Sequence, residues 1–218
     1  MIEDNSVQAE YARLAPTYDR RWAFYIDATI QATLQRLDLS SNATVLDLGC
    51  GTGVLLQQLI DQYPTVTLIG LDTSAAMLEA ARKKLPSSVE LQLSSVEQLP
   101  FPASQFDCII STSAFHYFRN PAQAIREMAR VLKHNGRLLL TDWCRDYWTM
   151  AGLDLWLKLT DRAHFKTYSI RELKDLLDRE GFQSLSIEQY RINWFWGLMT
   201  VQAVKVAENN CDKNRYPT

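Results

Sequence analysis

The run Val45-Leu46-Asp47-Leu48-Gly49-Cys50-Gly51-Thr52-Gly53 sets three glycines on alternate positions directly after a short apolar segment. A strand that must turn sharply and bring its backbone against a ligand needs glycine for both the torsion angles and the close approach. Loops of the GxGxxG kind seat a pyrophosphate on a helix N-terminus, but here the third fingerprint position is Val54. Asp47, just before the turn, would repel a pyrophosphate and attract an ammonium or a sulfonium. These residue types describe a site for a cation. Asp72 follows Gly51 by 21 positions. At the end of the next strand its carboxylate accepts hydrogen bonds from both hydroxyls of a ribose; the alternative is that Asp72-Thr73-Ser74 caps the following helix.

Strand-like and helix-like segments alternate around these residues. Thr44–Leu48, 66–71, 89–93, 106–111 and 137–141 read as strands. Between them lie helical stripes: apolar residues at 55, 56, 59 and 60, then Met77, Leu78, Ala81 and Leu85. Asn120-Pro121 opens a further helix, with Ile125, Met128, Ala129 and Leu132 as its stripe and Gly136 as its expected end. Ser169-x-x-Glu172 is a capping box, and Gly181 closes the helix it starts. Residues 183–190 and 198–206 leave no room for a helix between them, so they are expected as an antiparallel pair at one edge. Repeated strand–helix–strand units imply an α/β fold with a parallel sheet covered on both faces, and a ligand at the carboxyl ends of its strands. Residues 1–43 read as an N-terminal helical cap, 44–207 as the core with an aromatic insertion at 143–168, and 208–218 as a disordered tail.

Bulk properties narrow the function. The 218 residues are 47% hydrophobic and 22% charged, enough to bury a core without metals or disulfides. Twenty-three basic residues against 25 acidic ones argue against a dedicated nucleic-acid binder. Cys50, Cys108, Cys144 and Cys211 form no CxxC pair, which suggests neither a zinc nor a redox site. The polar N-terminus and the lack of a membrane-length apolar run make a cytoplasmic protein the expectation.

Five segments in order carry a family resemblance: VLDLGCGTG, IGLDTSAAML, SVEQLPFP at 95–102, FDCIISTSAFHYF at 106–118 and EMARVLKHNGRLLLTDW at 127–143. They resemble the successive motifs of class I S-adenosyl-L-methionine (SAM)-dependent methyltransferases, and within these the type 11, ubiquinone/menaquinone-biosynthesis-like group. The resemblance implies a Rossmann-like, seven-stranded, mostly parallel sheet whose last strand is antiparallel. It also implies SAM as cofactor and a small-molecule acceptor methylated by in-line displacement. Carried over, Gly49 and Gly51 would lie against the methionine and ribose of SAM, Asp47 would face its ammonium, and Asp72 with Thr73 would hold the ribose. Ser95 and Val96 would flank the adenine, and Ser111 with Thr112 would line the floor. Many relatives carry Asp-Ala where this chain has Ser95-Val96, so Glu97 is a candidate to compensate for the missing carboxylate. Tyr18, with Arg20 or Arg21, would reach the carboxylate end of the cofactor from the N-terminal cap.

For a hydroxyl acceptor, His116 is the best candidate for a general base, with His164 and Asp142 behind it; a packing or substrate-orienting histidine is the alternative. Tyr117, Trp143, Tyr147, Trp148 and His164 are the candidate acceptor-side residues, Trp156, Phe165 and Tyr168 completing an apolar lid; simple packing of these aromatics is the alternative. No metal is expected, because the ligands of catechol-type enzymes are not evident. A SAM-binding protein without catalysis, another SAM-using reaction on the same fold and a nicotinamide oxidoreductase are the other readings; Val54 speaks against the last.

Overall fold

The structure, a computed structural model, describes residues 11, 13–161 and 164–206. The expected disordered tail at 208–218 and the first ten positions of the cap lie outside the described residues.

Among the described residues, seven strands form one sheet in the order β3-β2-β1-β4-β5-β7-β6. The chain enters through α1 (Tyr18–Arg21) and α2 (Ala23–Leu34). It then alternates through β1 (Thr44–Leu48), α3 (Val54–Gln62), β2 (Thr67–Asp72), α4 (Ala75–Arg82) and β3 (Glu90–Leu93). After β3 it crosses back to β4 (Phe106–Thr112), on the other side of β1, and continues through α5 (Pro121–Val131) to β5 (Leu132–Trp143). These five strands are mutually parallel. After α6 (Trp148–Thr160) and α7 (Ile170–Arg179), β6 (Phe182–Arg191) and β7 (Gly197–Lys205) close the edge, β7 antiparallel to both β5 and β6.

Alternate side chains of a strand point to opposite faces, and the core divides accordingly. Leu46, Leu48 and Ile109 pack with Ile125 and Met128 of α5 and Leu173 and Leu177 of α7. Val45, Cys108 and Ile110 pack on the other face, with Ile30 of α2, Leu55 and Leu59 of α3 and Leu78 of α4. Both faces are dry, as a parallel sheet requires. The winding reverses between β1 and β4, and that crevice is where such sheets bind ligands.

Local signals set the helix boundaries. Asn120 accepts from Gln123 N–H with Pro121 in the first turn, and Ser169 and Glu172 form a reciprocal capping box. Ser74 caps α4 by accepting from Met77 N–H, so the segment Asp72-Thr73-Ser74 does cap the helix, through Ser74, while Asp72 accepts Ser74 N–H. Gly136 does not end α5. The helix stops at Val131, Leu132 already pairs with Phe106, and the left-handed residue is Asn135 (φ 59°). Gly136 instead serves a tight excursion within β5, where a Cβ would lie 2.8 Å from the Lys133 carbonyl oxygen. Beyond it β5 runs past the expected residue 141 to Trp143, because β7 pairs Met199 with Asp142 and Leu198 with Trp143.

Candidate active site

At the carboxyl ends of β1, β2 and β4 lies a cavity of about 420 Å³. Its floor is the loop after β1. Gly49, Gly51 and Gly53 all have positive φ (75°, 52° and 79°), and a Cβ on Gly49 would sit 2.5 Å from the Ala114 Cβ. The glycines are therefore needed for the turn and, at Gly49, for contact with the loop after β4.

Asp47 points into this cavity and is 1% exposed, with neither carboxylate oxygen hydrogen-bonded. Burial, with the Asp72 charge adding to it, pushes its carboxyl up to about 8. A buried carboxylate without a donor is costly, and a cationic ligand group is what relieves it. Asp72 also lines the cavity, with one oxygen accepting Gly51 N–H at 2.8 Å and the other Ser74 N–H at 2.8 Å. Burial raises its carboxyl as well, those amides working against the rise. Each carboxylate oxygen keeps a further acceptor site, so the paired oxygens fit the two hydroxyls of a ribose. Cys50 lies beside them as a buried thiol pushed up by burial and by both carboxylates, which leaves it unreactive.

At the far end of the cavity, Thr73, Ser95, Val96 and Glu97 form the wall. The Ser95 hydroxyl donates to the Glu97 carboxylate, and Glu97 N–H returns a bond to Ser95 Oγ at 3.2 Å. The pair puts a carboxylate where serine alone would offer only a neutral acceptor. Together, a cation-seeking Asp47, a diol-seeking Asp72, a glycine floor and a polar end wall suit the ammonium, ribose and adenine of SAM.

The N-terminal cap forms the roof. Thr52 of the glycine loop donates to Asp19 at 2.6 Å, and Lys84 after α4 pairs with the same carboxylate at 2.6 Å. This clamp brings Tyr18 into the cavity wall beside Tyr11, and burial pushes the Tyr18 phenol up to about 12. Tyr25 of α2 joins them and is bonded to Ser113 Oγ at 2.6 Å. Arg21 does not take part. It is exposed, its guanidinium lying over the Trp22 ring at 5.8 Å. The arginine in the wall is Arg119, from the loop after β4. Neither Arg119 nor the Asp19–Thr52–Lys84 clamp carried a sequence signal, since no motif spacing marks them.

Ser111 also lies off the cavity. It is buried, and its hydroxyl donates to Leu48 O at 3.0 Å, tying β4 to the end of β1; Thr112 and Ser113 supply the wall instead.

On the acceptor side, Tyr117 lines the cavity, and His116 packs behind it with ring centroids 4.1 Å apart. His116 is 2% exposed and stacks on Trp143 at 4.0 Å. Its Nδ1 lies 2.6 Å from Asp142 Oδ1, and Asp142 also accepts the backbone N–H of His116 and of Trp143. With Nδ1 directed at the Asp142 carboxylate as donor, Nε2, which has no hydrogen-bond partner among the described residues, presents the lone pair. His164 repeats the arrangement, with Nε2 2.8 Å from Asp154 Oδ1 and Nδ1 without a partner. Burial holds His164 below the usual histidine range, the Asp154 carboxylate opposing it.

The rest of the expected lid is arranged otherwise. Trp148 is 75% exposed and Trp156 also faces solvent, because α6 turns Asp154 inward and these positions outward. Tyr147 lies under Arg191 at 4.5 Å and over Gly197, and Tyr168 packs on Phe115 in the core. Trp196 is drawn in, within 4.9 Å of Tyr25 and 5.4 Å of Trp143.

Sheet order, switch-point cavity and glycine loop define the Rossmann-like methyltransferase class. A chain from the complex of the Haloferax volcanii Trm112 methyltransferase activator with a methyltransferase superposes with a TM-score of 0.79 at 21% identity, covering 94% of this chain and 98% of that one. Residues 46–140 match the methyltransferase domain family model. A malonyl-[acyl-carrier protein] O-methyltransferase of Priestia megaterium is 31% identical over 99% of this chain and 85% of its own length. A demethylmenaquinone methyltransferase of Thermotoga maritima is 35% identical over 61% of this chain and 59% of its own length. The chain belongs to the class I SAM-dependent methyltransferases, type 11 group.

Proposed function

We propose that the chain methylates a small-molecule acceptor in the cytoplasm, and that nucleic acid is not its substrate. The observation that carries this reading is the roof. Tyr11, Tyr18 and Tyr25 come from the N-terminal segment and line the same cavity as the glycine loop, so an acceptor must enter as a small group rather than as part of a broad polymer surface. The near balance of charge supports it, since a polyanion would meet no basic surplus. Both relatives described above are named for acceptors presented as small groups, a malonyl unit and a demethylmenaquinone. Free, buried Cys50, Cys108 and Cys144 suit a reducing compartment.

When bound, SAM supplies an electrophilic methyl carbon on a sulfonium. Asp47 neutralises the ammonium, Asp72 and Thr73 hold the ribose, and Ser95, Val96 and Glu97 enclose the base. Gly49 and Gly51 let the backbone approach, and the tyrosine roof excludes water so that alignment does most of the work. Where the acceptor is a hydroxyl, His116 Nε2 takes its proton once the acceptor reaches past Tyr117. Asp142 is a positioning residue that fixes the tautomer and steadies the imidazolium.

Incubation with methyl-labelled SAM and a fractionated metabolite extract tests this, with Asp72→Ala as control. Label in an organic-soluble product, lost in the variant, is the expected result and isolates the acceptor. Label in nucleic acid, or in protein other than on a carrier-bound acyl group, overturns the acceptor class while leaving the methyltransferase intact. With a hydroxyl acceptor in hand, His116→Asn should lower kcat about 100-fold and leave SAM affinity unchanged. An unaltered kcat would make His116 a packing residue.

A further inference from the structure

Helix α6 has two faces, and only one is used by the fold. Thr149, Met150 and Asp154 are buried, whereas Trp148, Leu155, Trp156 and Leu159 are exposed, Leu159 to 80%. The spacing from 148 to 155, 156 and 159 places these four on one side of the helix. No carboxylate shares that side. Asp154, the helix's acidic residue, faces inward, where it holds His164 and Thr167 N–H and pairs with Lys158.

The turn before β7 extends the patch. Thr149 Oγ1 donates to Phe195 O at 2.7 Å, fixing the turn beside the start of α6. Asn193 Oδ1 accepts the N–H groups of Phe195 and Trp196, and the turn so formed sends Trp196 into the aromatic cluster and Trp194 outward, 76% exposed. Arg191 lies over the Tyr147 ring at 4.5 Å and donates to Trp194 O at 2.6 Å. Among the described residues no carboxylate pairs with it. The result is a surface of three tryptophans and two leucines with an unneutralised cation at its rim.

We propose that this face docks on an anionic lipid surface, with α6 lying in the plane of the headgroups. Tryptophan rings and an arginine at the edge of an apolar helix face are the side chains that settle at a bilayer interface. Thirteen residues make a helix of about 20 Å, too short to span a bilayer and suited to lying on one. Charge decides against a second copy of the chain as occupant. A twofold contact would set this face against itself and offer Arg191 no carboxylate, whereas lipid phosphates complement it. This inference goes beyond the proposed acceptor class and does not depend on it.

Flotation of the full chain with vesicles tests it, using equal parts phosphatidylglycerol and phosphatidylcholine against phosphatidylcholine alone. The wild type should float with the anionic vesicles, its tryptophan emission shifting to the blue and quenched by brominated acyl chains. The combined Trp148→Ser, Trp156→Ser and Leu159→Ser variant alters solvent-facing positions only. It should retain its circular dichroism and SAM affinity but partition at least about tenfold less. Arg191→Gln should weaken binding to anionic vesicles about fivefold and leave that to neutral vesicles unchanged. Wild type that stays with the protein fraction, or a triple variant that floats as well as wild type, overturns the proposal. So does a dimer in sedimentation equilibrium that the triple variant abolishes while no vesicle is bound; that result gives the face to a second copy.

Discussion

Asp47 combines the strongest sequence signal with the largest electrostatic cost in the site. Its carboxyl is ordinarily near 3.8 and is held near 8 in the fold, with burial the main cause and Asp72 the second. A carboxyl raised by folding contributes stability that is complete below the unfolded value and lost as pH rises through the folded one. The ligand-free protein should therefore lose thermal stability between about pH 4 and pH 8, and Asp47→Asn should be more stable than wild type at pH 8. Binding a cation runs the other way. Below pH 8 the carboxyl must release a proton to meet it, so SAM affinity should climb with pH and level off near 8. Isothermal titration across pH 5–9 should show that climb for wild type and a flat, roughly 10- to 100-fold weaker profile for Asp47→Asn. A flat wild-type profile would mean that Asp47 is already ionised and compensated without ligand. Asp47 and Asp72 were readable because each sits at the carboxyl end of a strand at a spacing tied to a glycine loop. Glu97 was readable as the carboxylate beside Ser95 because the two are neighbours in sequence, whereas Arg119 and Asp19 depend on which loops meet in space, and linear spacing does not encode that. Arg21 shows the converse: a cation near the right place in sequence that packs on Trp22 and faces solvent.

At the scale of elements, most boundaries were legible because their chemistry is local. The Asn120-Pro121 start, the Ser169–Glu172 box and the Gly181 stop each act through neighbours within a few residues. Gly136 misled for the opposite reason: its role is set by a pairing between β4 and β5 that shifts register near that point. The extension of β5 to Trp143 was equally hidden, since antiparallel pairing with β7 holds those residues extended, and it is this extension that sets Asp142 under His116. The approach of the β1 and β4 loops can be tested directly. Gly49→Ala meets two obstacles, a φ of 75° and an overlap with Ala114 Cβ at 2.5 Å. It should cost about 2 kcal/mol or more and abolish SAM binding. Adding Ala114→Gly removes the overlap but not the torsional strain, so denaturant melts should show partial recovery of stability. Full recovery would mean that the left-handed turn is not required.

For the molecule as a whole, the question is what holds the N-terminal roof over a site built by the sheet. Tyr25 is anchored to Ser113 and Trp143, and Thr33 to Thr141, so α2 is fixed to β4 and β5 by buried bonds. Helix α1 has no fully buried residue, Tyr18 being half-buried, and relies on Asp19, which bridges Thr52 and Lys84. Asp19 and Lys84 are 44% and 36% exposed, and such pairs contribute less than about 1 kcal/mol to global stability. Their effect on the site should be larger, because Asp19 connects the roof directly to the glycine loop. Asp19→Ala should leave the melting temperature almost unchanged while weakening SAM about five- to tenfold, mainly through faster dissociation. Hydrogen exchange should locate the change, with residues 17–22 and 50–53 losing protection and β1, β4 and β5 keeping theirs. Equal losses across roof and sheet would show instead that Asp19 stabilises the fold at large. An unchanged dissociation rate would show that the cofactor is held by the sheet ends alone, with Tyr18 a bystander.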